Sequence, residues 1–199
     1  MEWVAKRLTN YILAKEIITE ADRAAYEYGF QTGIEQTLCI IITLTFAACM
    51  NRVWECMLLL VVFFLQRAYV KGIHMKQYWS CFLLSCSVVI AGLYGSGRVE
   101  IPESAELIVT LICLGVVQIA AGRFEDDEDE AASCFFNKQR KRIACLVVLT
   151  AFVLYVVGWK NGLFVVCYTE LVMFVSTLAQ LGKEKLGNKE NGCSDSGFY

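Results

Sequence analysis

His74, the only histidine in this 199-residue chain, stands seven residues before Cys81 in the stretch RAYVKGIHMKQYWSC, which runs from Arg67 to Cys81. A cysteine is a useful nucleophile only as thiolate, and a neighbouring histidine or positive charge makes that form accessible. Arg67, Lys71 and Lys76 put such charge in the same stretch. The chemistry on offer is attack by a thiolate with a histidine as proton acceptor. Geometry constrains it: on a continuous helix, residues seven apart share a face but lie about 10.5 Å apart along the axis, too far to touch. A catalytic pair therefore requires the chain around Gly72 to Gln77 to break or fold back, bringing His74 to Cys81 near the start of the following helix, and Gly72 suits that break. Tyr78 and Trp79 would anchor the helix end at a membrane interface. The plain alternative is an interfacial histidine and an ordinary buried thiol. With ten cysteines in the chain, spacing alone favours that alternative.

The elements that must hold these residues are membrane helices. The sequence is 57% hydrophobic with one proline, far more apolar than a water-soluble domain of this size needs. A formal net charge of -2 gives no basic excess, and no phosphate-binding glycine pattern occurs, so nucleic acid is set aside as a partner. A bilayer-spanning helix takes about 20 mainly apolar residues. Six runs approach that length, at 34–50, 53–65, 78–95, 105–122, 143–159 and 163–181, the second being short enough to make the first two a tilted or shallow pair. The expected fold is an all-α polytopic membrane protein with about six transmembrane helices. Lysine and arginine collect in cytoplasmic loops. With the N-terminus inside, all of the 18 except Arg52, Arg98 and Lys160 fall on the cytoplasmic side, and His74 lies at that face.

The expected organisation is a cytoplasmic amphipathic region at 1–33, a transmembrane domain at 34–181 and a disordered cytoplasmic tail at 182–199. The first twenty residues lack the uninterrupted apolar core and cleavage site of a signal peptide. Trp3, Val4, Leu8, Tyr11 and Ile12 share one side at helical spacing, while Lys6, Arg7, Asn10 and Lys15 fall largely elsewhere, which reads as a helix lying on the inner membrane surface, packed against the bundle, or both. The acidic run Glu125 to Glu130 and the basic NKQRKR, Asn137 to Arg142, read as opposite charge blocks of a solvated loop. The tail from Gly182 is polar and glycine-rich.

Most cysteines, such as Cys39, Cys86, Cys113 and Cys167, lie in apolar runs and behave as small hydrophobes. Without a CxxC pair, and with one histidine, the chain offers no usual zinc set, so no metal and no cofactor are expected. No Gly-x-Ser-x-Gly, His-Glu-x-x-His or Ser-x-x-Lys pattern occurs. A non-enzymatic membrane adaptor would use the same helices without chemistry. A small transporter would need ionisable groups at mid-membrane. Glu35 and Glu55 lie near span ends, and only Glu170 lies within one, where it pairs with a basic residue or stays protonated.

The pattern Arg67, Gly72, His74, Cys81, in a short basic segment between apolar spans, resembles AgrB, the accessory gene regulator membrane cysteine peptidase family of Gram-positive quorum sensing. That family carries an arginine, then Gly-x-His, then cysteine seven residues after the histidine. In weaker form the resemblance extends from YGFQTGIEQTL, Tyr28 to Leu38, through the spans to KQRKR before the fifth. The acidic run Glu125 to Glu130 departs from the family pattern and puts loop contacts in question, not the pair. The resemblance implies a cysteine endopeptidase in the bacterial cell membrane, acting at the cytoplasmic face on a short AgrD-like propeptide, with Cys81 as nucleophile and His74 as base and then acid. It implies an acyl thioester on Cys81, followed by thiolactone or lactone closure within the peptide. It assigns Arg67 to substrate binding or site support and Gly72 to the site's backbone. It also implies a homodimer, with membrane lipid and the propeptide as the other partners.

Overall fold

The computed structural model describes residues 2–15, 17–69, 78–99, 101–122 and 130–194, and the side chains of 3–15, 17–69, 82–99, 101–122 and 137–182. Among these residues the structure is entirely helical: α1 (Glu2–Ala14), a 3-10 turn (Glu20–Asp22), α2 (Arg23–Cys49), α3 (Val53–Arg67), α4 (Tyr78–Gly95), α5 (Glu103–Ala121), α6 (Glu130–Val157) and α7 (Lys160–Ser194).

Local chemistry sets the helix ends. Asn51 takes the left-handed conformation (φ 54°) after α2, so that the Arg52 N–H reaches the Ala47 carbonyl at 2.9 Å. Asparagine tolerates this region because its short polar side chain satisfies itself locally. Gly158 (φ 73°) ends α6 in the same way, with the Trp159 N–H on the Leu154 carbonyl at 3.1 Å. The single proline, Pro102, opens α5, where its missing N–H costs nothing; its carbonyl accepts from Ala105 at 2.9 Å. Glu103 and Glu106 then fill the first turn of α5, the end at which a helix favours negative charge.

Helix α7 is the centre of the bundle. Leu163 and Val166 join Val62, Leu114, Ile143, Val147, Ala151 and Leu154 in one buried cluster; Val165 joins Ala47, Cys56, Leu59, Leu60, Val89 and Leu93 in a second. Met173 packs with Val117 and Ala121 of α5 in a third. The outward faces are apolar too: Ile112 and Ile119 on α5, Leu149, Phe152 and Val156 on α6 and Val175 on α7 are each more than half exposed. Apolar area on that scale marks a surface that meets lipid or a partner, not water. Among the described residues, three helical stretches, Glu20–Cys49, Glu103–Ala121 and Lys160–Gly182, are long and apolar enough to cross a membrane, and Phe82–Gly95 is a shorter apolar helix.

Each of the six apolar runs overlaps a different helix, α2 to α7, with three of them (34–50, 105–122 and 143–159) running one or two residues past the helix end, and the polar segments beside them differ from the expectation. Residues 23–33, assigned to the N-terminal cytoplasmic region, form the first part of α2, one helix of 27 residues. Hydropathy begins at Ile34, whereas Ala24, Ala25, Glu27 and Gln31 carry the helix at no propensity cost before it. Basic NKQRKR lies within α6 instead of a loop, because lysine, arginine and glutamine are good helix formers. Helix α7 also continues past Gly182 to Ser194, over most of the expected tail, since extending a packed helix needs no new nucleus. Glu125 to Asp129 lie outside the described residues.

At one end the bundle is tied by Arg52, whose Nη1 donates to Ser96 Oγ at 2.6 Å, and by Lys160 with Glu103 at 3.4 Å. Helix α1 docks on α2 through buried Ala5 and Thr9, Lys6 with Glu27 at 3.8 Å, and Asn10 accepting from Arg23 at 2.8 Å. Its apolar residues Trp3, Val4, Leu8 and Tyr11 stay exposed. Packing and an outward apolar face thus coexist on one helix.

Helix α4 is seated by contacts to α2 and α7. The buried thiols of Cys39 and Cys86 touch at 3.4 Å, and Tyr168 on α7 donates its hydroxyl to the Val88 carbonyl at 3.0 Å. Gly92 is where the Tyr168 ring crosses: a Cβ there would meet Tyr168 Cε1 at 2.7 Å and Leu59 Cδ1 at 3.1 Å. Gly92→Ala therefore forces the ring off α4 and should cost about 1–3 kcal/mol. A lower melting midpoint of the purified protein in detergent checks it.

Candidate functional site

Arg67 is the last residue of α3, and α4 begins at Tyr78, so the chain between 68 and 77 joins two separate helices. The backbone of Cys81 lies in the first turn of α4. Gly72 and His74, with Lys71 and Lys76, lie outside the described residues, as does the side chain of Cys81. The expected approach of His74 to Cys81 is thus not among the described contacts. What is described is the frame: the end of α3, the start of α4 and the α7 face beside them.

That frame is polar. Arg67 is half-buried, and its Nη1 donates to Ser176 Oγ on α7 at 3.4 Å. One residue earlier, Gln66 is buried and donates through Nε2 to Oε1 of Glu170, itself wholly buried. Gln66 Oε1 and Glu170 Oε2 have no hydrogen-bond partner among the described residues. On α6, Arg140 is buried with Nη2 on Asn137 Oδ1 at 2.9 Å, and its Nη2 lies 3.5 Å from where a Cβ on Gly122, after the end of α5, would sit. Glu106 is a further buried carboxyl, in the first turn of α5 near the opposite end.

Sequence reading singled out Arg67 and Glu170 but missed Gln66, Ser176, Arg140 and Glu106. The signal for Gln66 was available: it is the one uncharged polar residue in the apolar run LLLVVFFLQR, next to Arg67. Arg140 was lost among neighbouring cations, since only helical phase separates it from exposed Lys138, Lys141 and Arg142. No cluster of three or more potential metal ligands occurs among the described residues.

Chemically, the start of a helix presents backbone N–H groups with no intrahelical partner and a field that favours negative charge. Cys81 stands at such a start. A family model described as AgrB, Accessory gene regulator B, matches residues 5–181. The chain belongs to the AgrB family. The match runs from α1 through the described part of α7 that packs in the core, and it contains all four residues of the Arg67, Gly72, His74, Cys81 pattern. Comparison with curated proteins and with solved structures gives no match. Membership in the AgrB family connects the chain with processing of an AgrD-type propeptide, and with its apolar helices it marks a membrane protein.

Proposed function

We propose that this AgrB-family chain is a membrane-embedded cysteine endopeptidase that cuts the C-terminal part from a short AgrD-like propeptide and passes the remainder on to ring closure. The observation that carries the reading is the four-residue pattern within the matched span, with Cys81 in the first turn of α4.

In this reading the Cys81 sulfur attacks the carbonyl carbon of the last residue of the future signal, and His74 takes the thiol proton. Unpaired backbone N–H groups of the first turn of α4 are suited to receive the developing oxyanion. On collapse the C–N bond breaks, His74 returns the proton to the leaving amine, and the tail departs, leaving an acyl thioester. A cysteine or serine of the peptide then attacks that thioester; its proton passes through His74 to Cys81, and a thiolactone or lactone leaves. Thioester exchange roughly conserves acyl energy, so closure needs no ATP provided water is kept out, and a site among membrane helices helps exclude it.

The same proposal includes six spans with both ends cytoplasmic, a homodimer, and α1 lying on the inner leaflet. The exposed side chains of Trp3, Val4, Leu8 and Tyr11, with Arg7 over the Trp3 ring at 5.1 Å and Lys15 over Tyr11 at 5.9 Å, suit an apolar face towards lipid and cations towards headgroups.

Arg67 binds a carboxylate of the propeptide tail in this account. Arg67→Ala should lower kcat/KM for the propeptide by roughly 10- to 100-fold, the scale of one charge-assisted hydrogen bond. Arg67→Lys should recover only part, since a point charge lacks the planar fork. If lysine restores full activity, the residue serves as an interfacial cation and not as a carboxylate fork. The overall test is incubation of a candidate propeptide with membranes carrying the protein, with products identified by mass spectrometry. Release of an intact tail fragment supports the reading, and an unchanged propeptide contradicts it.

A further inference from the structure

We infer that Gln66 and Glu170 are a positioning pair for the reaction: they fix the last turn of α3 against α7, and so set where Arg67 and the following chain are presented. The inference rests on the peptidase reading. Both side chains are buried, 2% and 0% exposed, and they meet each other across the helix interface. The next residue of α3, Arg67, makes the adjacent contact to Ser176, six residues further along α7. Two successive side chains at the end of α3 are thus read by two polar positions of α7. One turn further along α7 the contacts are apolar: Met173 meets Val117, Ala121 and partly buried Phe63 and Phe174, and a flexible methionine adapts to a small slide or rotation of its neighbours.

A buried polar pair differs from such packing. Any slide that separates Gln66 from Glu170 leaves two desolvated groups unmade, whereas leucine on leucine remains satisfied after the same movement. Buried polar pairs of this kind add little net stability, but they select one arrangement among several that pack equally well. The arrangement selected here bears on the chemistry, because Arg67 ends α3, the segment with His74 follows, and α4 with Cys81 comes next. A misplacement of about 1 Å at a reacting centre can cost about a hundredfold in rate.

The test separates positioning from bulk stability. Gln66→Leu or Glu170→Leu alone strands the other partner and should lower the melting midpoint in detergent. The double Gln66→Leu/Glu170→Leu protein, with two apolar side chains of similar volume, should regain a midpoint close to that of the unaltered protein. Its propeptide cleavage should nevertheless stay roughly 10- to 100-fold lower per folded molecule, while Glu170→Gln, which keeps an amide pair, should cleave within a few-fold of the unaltered protein. A double variant that cleaves at the full rate would make the pair mere filling and overturn the inference.

A second readout does not depend on activity. Arg67→Cys/Ser176→Cys protein, treated with a bifunctional thiosulfonate of arginine length and mapped by mass spectrometry, should cross-link α3 to α7. The yield should fall when the leucine pair is added, and an unchanged yield overturns the inference. If no propeptide is cut by any form but the cross-link still follows the pair, the peptidase reading fails and the positioning of α3 on α7 stands.

Discussion

Membranes carrying Cys81→Ala are expected to release no detectable tail from a propeptide that the unaltered protein cuts. Without the nucleophile there is no acyl-enzyme, and a nucleophile deletion costs on the order of 10⁴-fold or more in turnover. Alanine is the best helix former, so α4, which starts three residues earlier at Tyr78, should persist. Folding and activity are therefore separable in this variant, and an unchanged melting midpoint beside absent cleavage is the expected combination. Cys81→Ser should be nearly as impaired, because a hydroxyl is far less ionised than a thiol at neutral pH. Cleavage by Cys81→Ala at even a tenth of the normal rate would place the nucleophile elsewhere among the ten cysteines, or remove covalent catalysis from the account.

Loss of His74 should be the next largest effect. A positioned acid–base group contributes typically about 10²–10⁴-fold, and in this mechanism His74 acts in both directions, taking the thiol proton and returning one to the leaving amine. His74→Ala should therefore reduce tail release by that factor, with partial rescue by added imidazole, measured as initial rates by mass spectrometry. His74 is the only histidine of the chain, so no neighbouring histidine can substitute. A His74→Ala protein within threefold of the unaltered rate would return His74 to the role of an interfacial residue. Arg67 is expected to differ in kind from both, since it acts on the tail of the propeptide and not on the bond being broken.

Much of the frame for this site was legible in the sequence. The six apolar runs each match one helix to within two residues at their C-terminal ends because hydropathy, Asn51, Pro102 and Gly158 carry turns between them, and these signals are local. Cys39, Cys86, Cys113 and Cys167 are buried, whereas Cys145, in an equally apolar run, is exposed, so apolar neighbours alone do not decide burial. Less legible was where a helix stops when polarity and helix propensity disagree. Residues 23–33, 137–142 and 183–194 are polar yet helical, since lysine, glutamate and glutamine favour helix whether or not they are buried. Helical phase was the other gap. Gln66, Glu106 and Arg140 are single polar residues whose burial depends on which neighbour covers them, and that is a tertiary fact. The spacing of His74 and Cys81 raised a nucleophile and its base, while its support came from the family match over 5–181 and from the start of α4 at Tyr78.

The central claim is a covalent one, so the decisive measurement is the intact mass of the protein after brief exposure to a propeptide whose internal cysteine or serine is replaced by alanine. Without that nucleophile, ring closure is blocked and the acyl-enzyme should accumulate. The expected result is a mass increase equal to the propeptide less the released tail, the N-terminal fragment minus one water, mapped to Cys81, sensitive to hydroxylamine and absent from Cys81→Ala. Cleavage of this propeptide with no adduct at any time point, or an adduct on another residue, would contradict it.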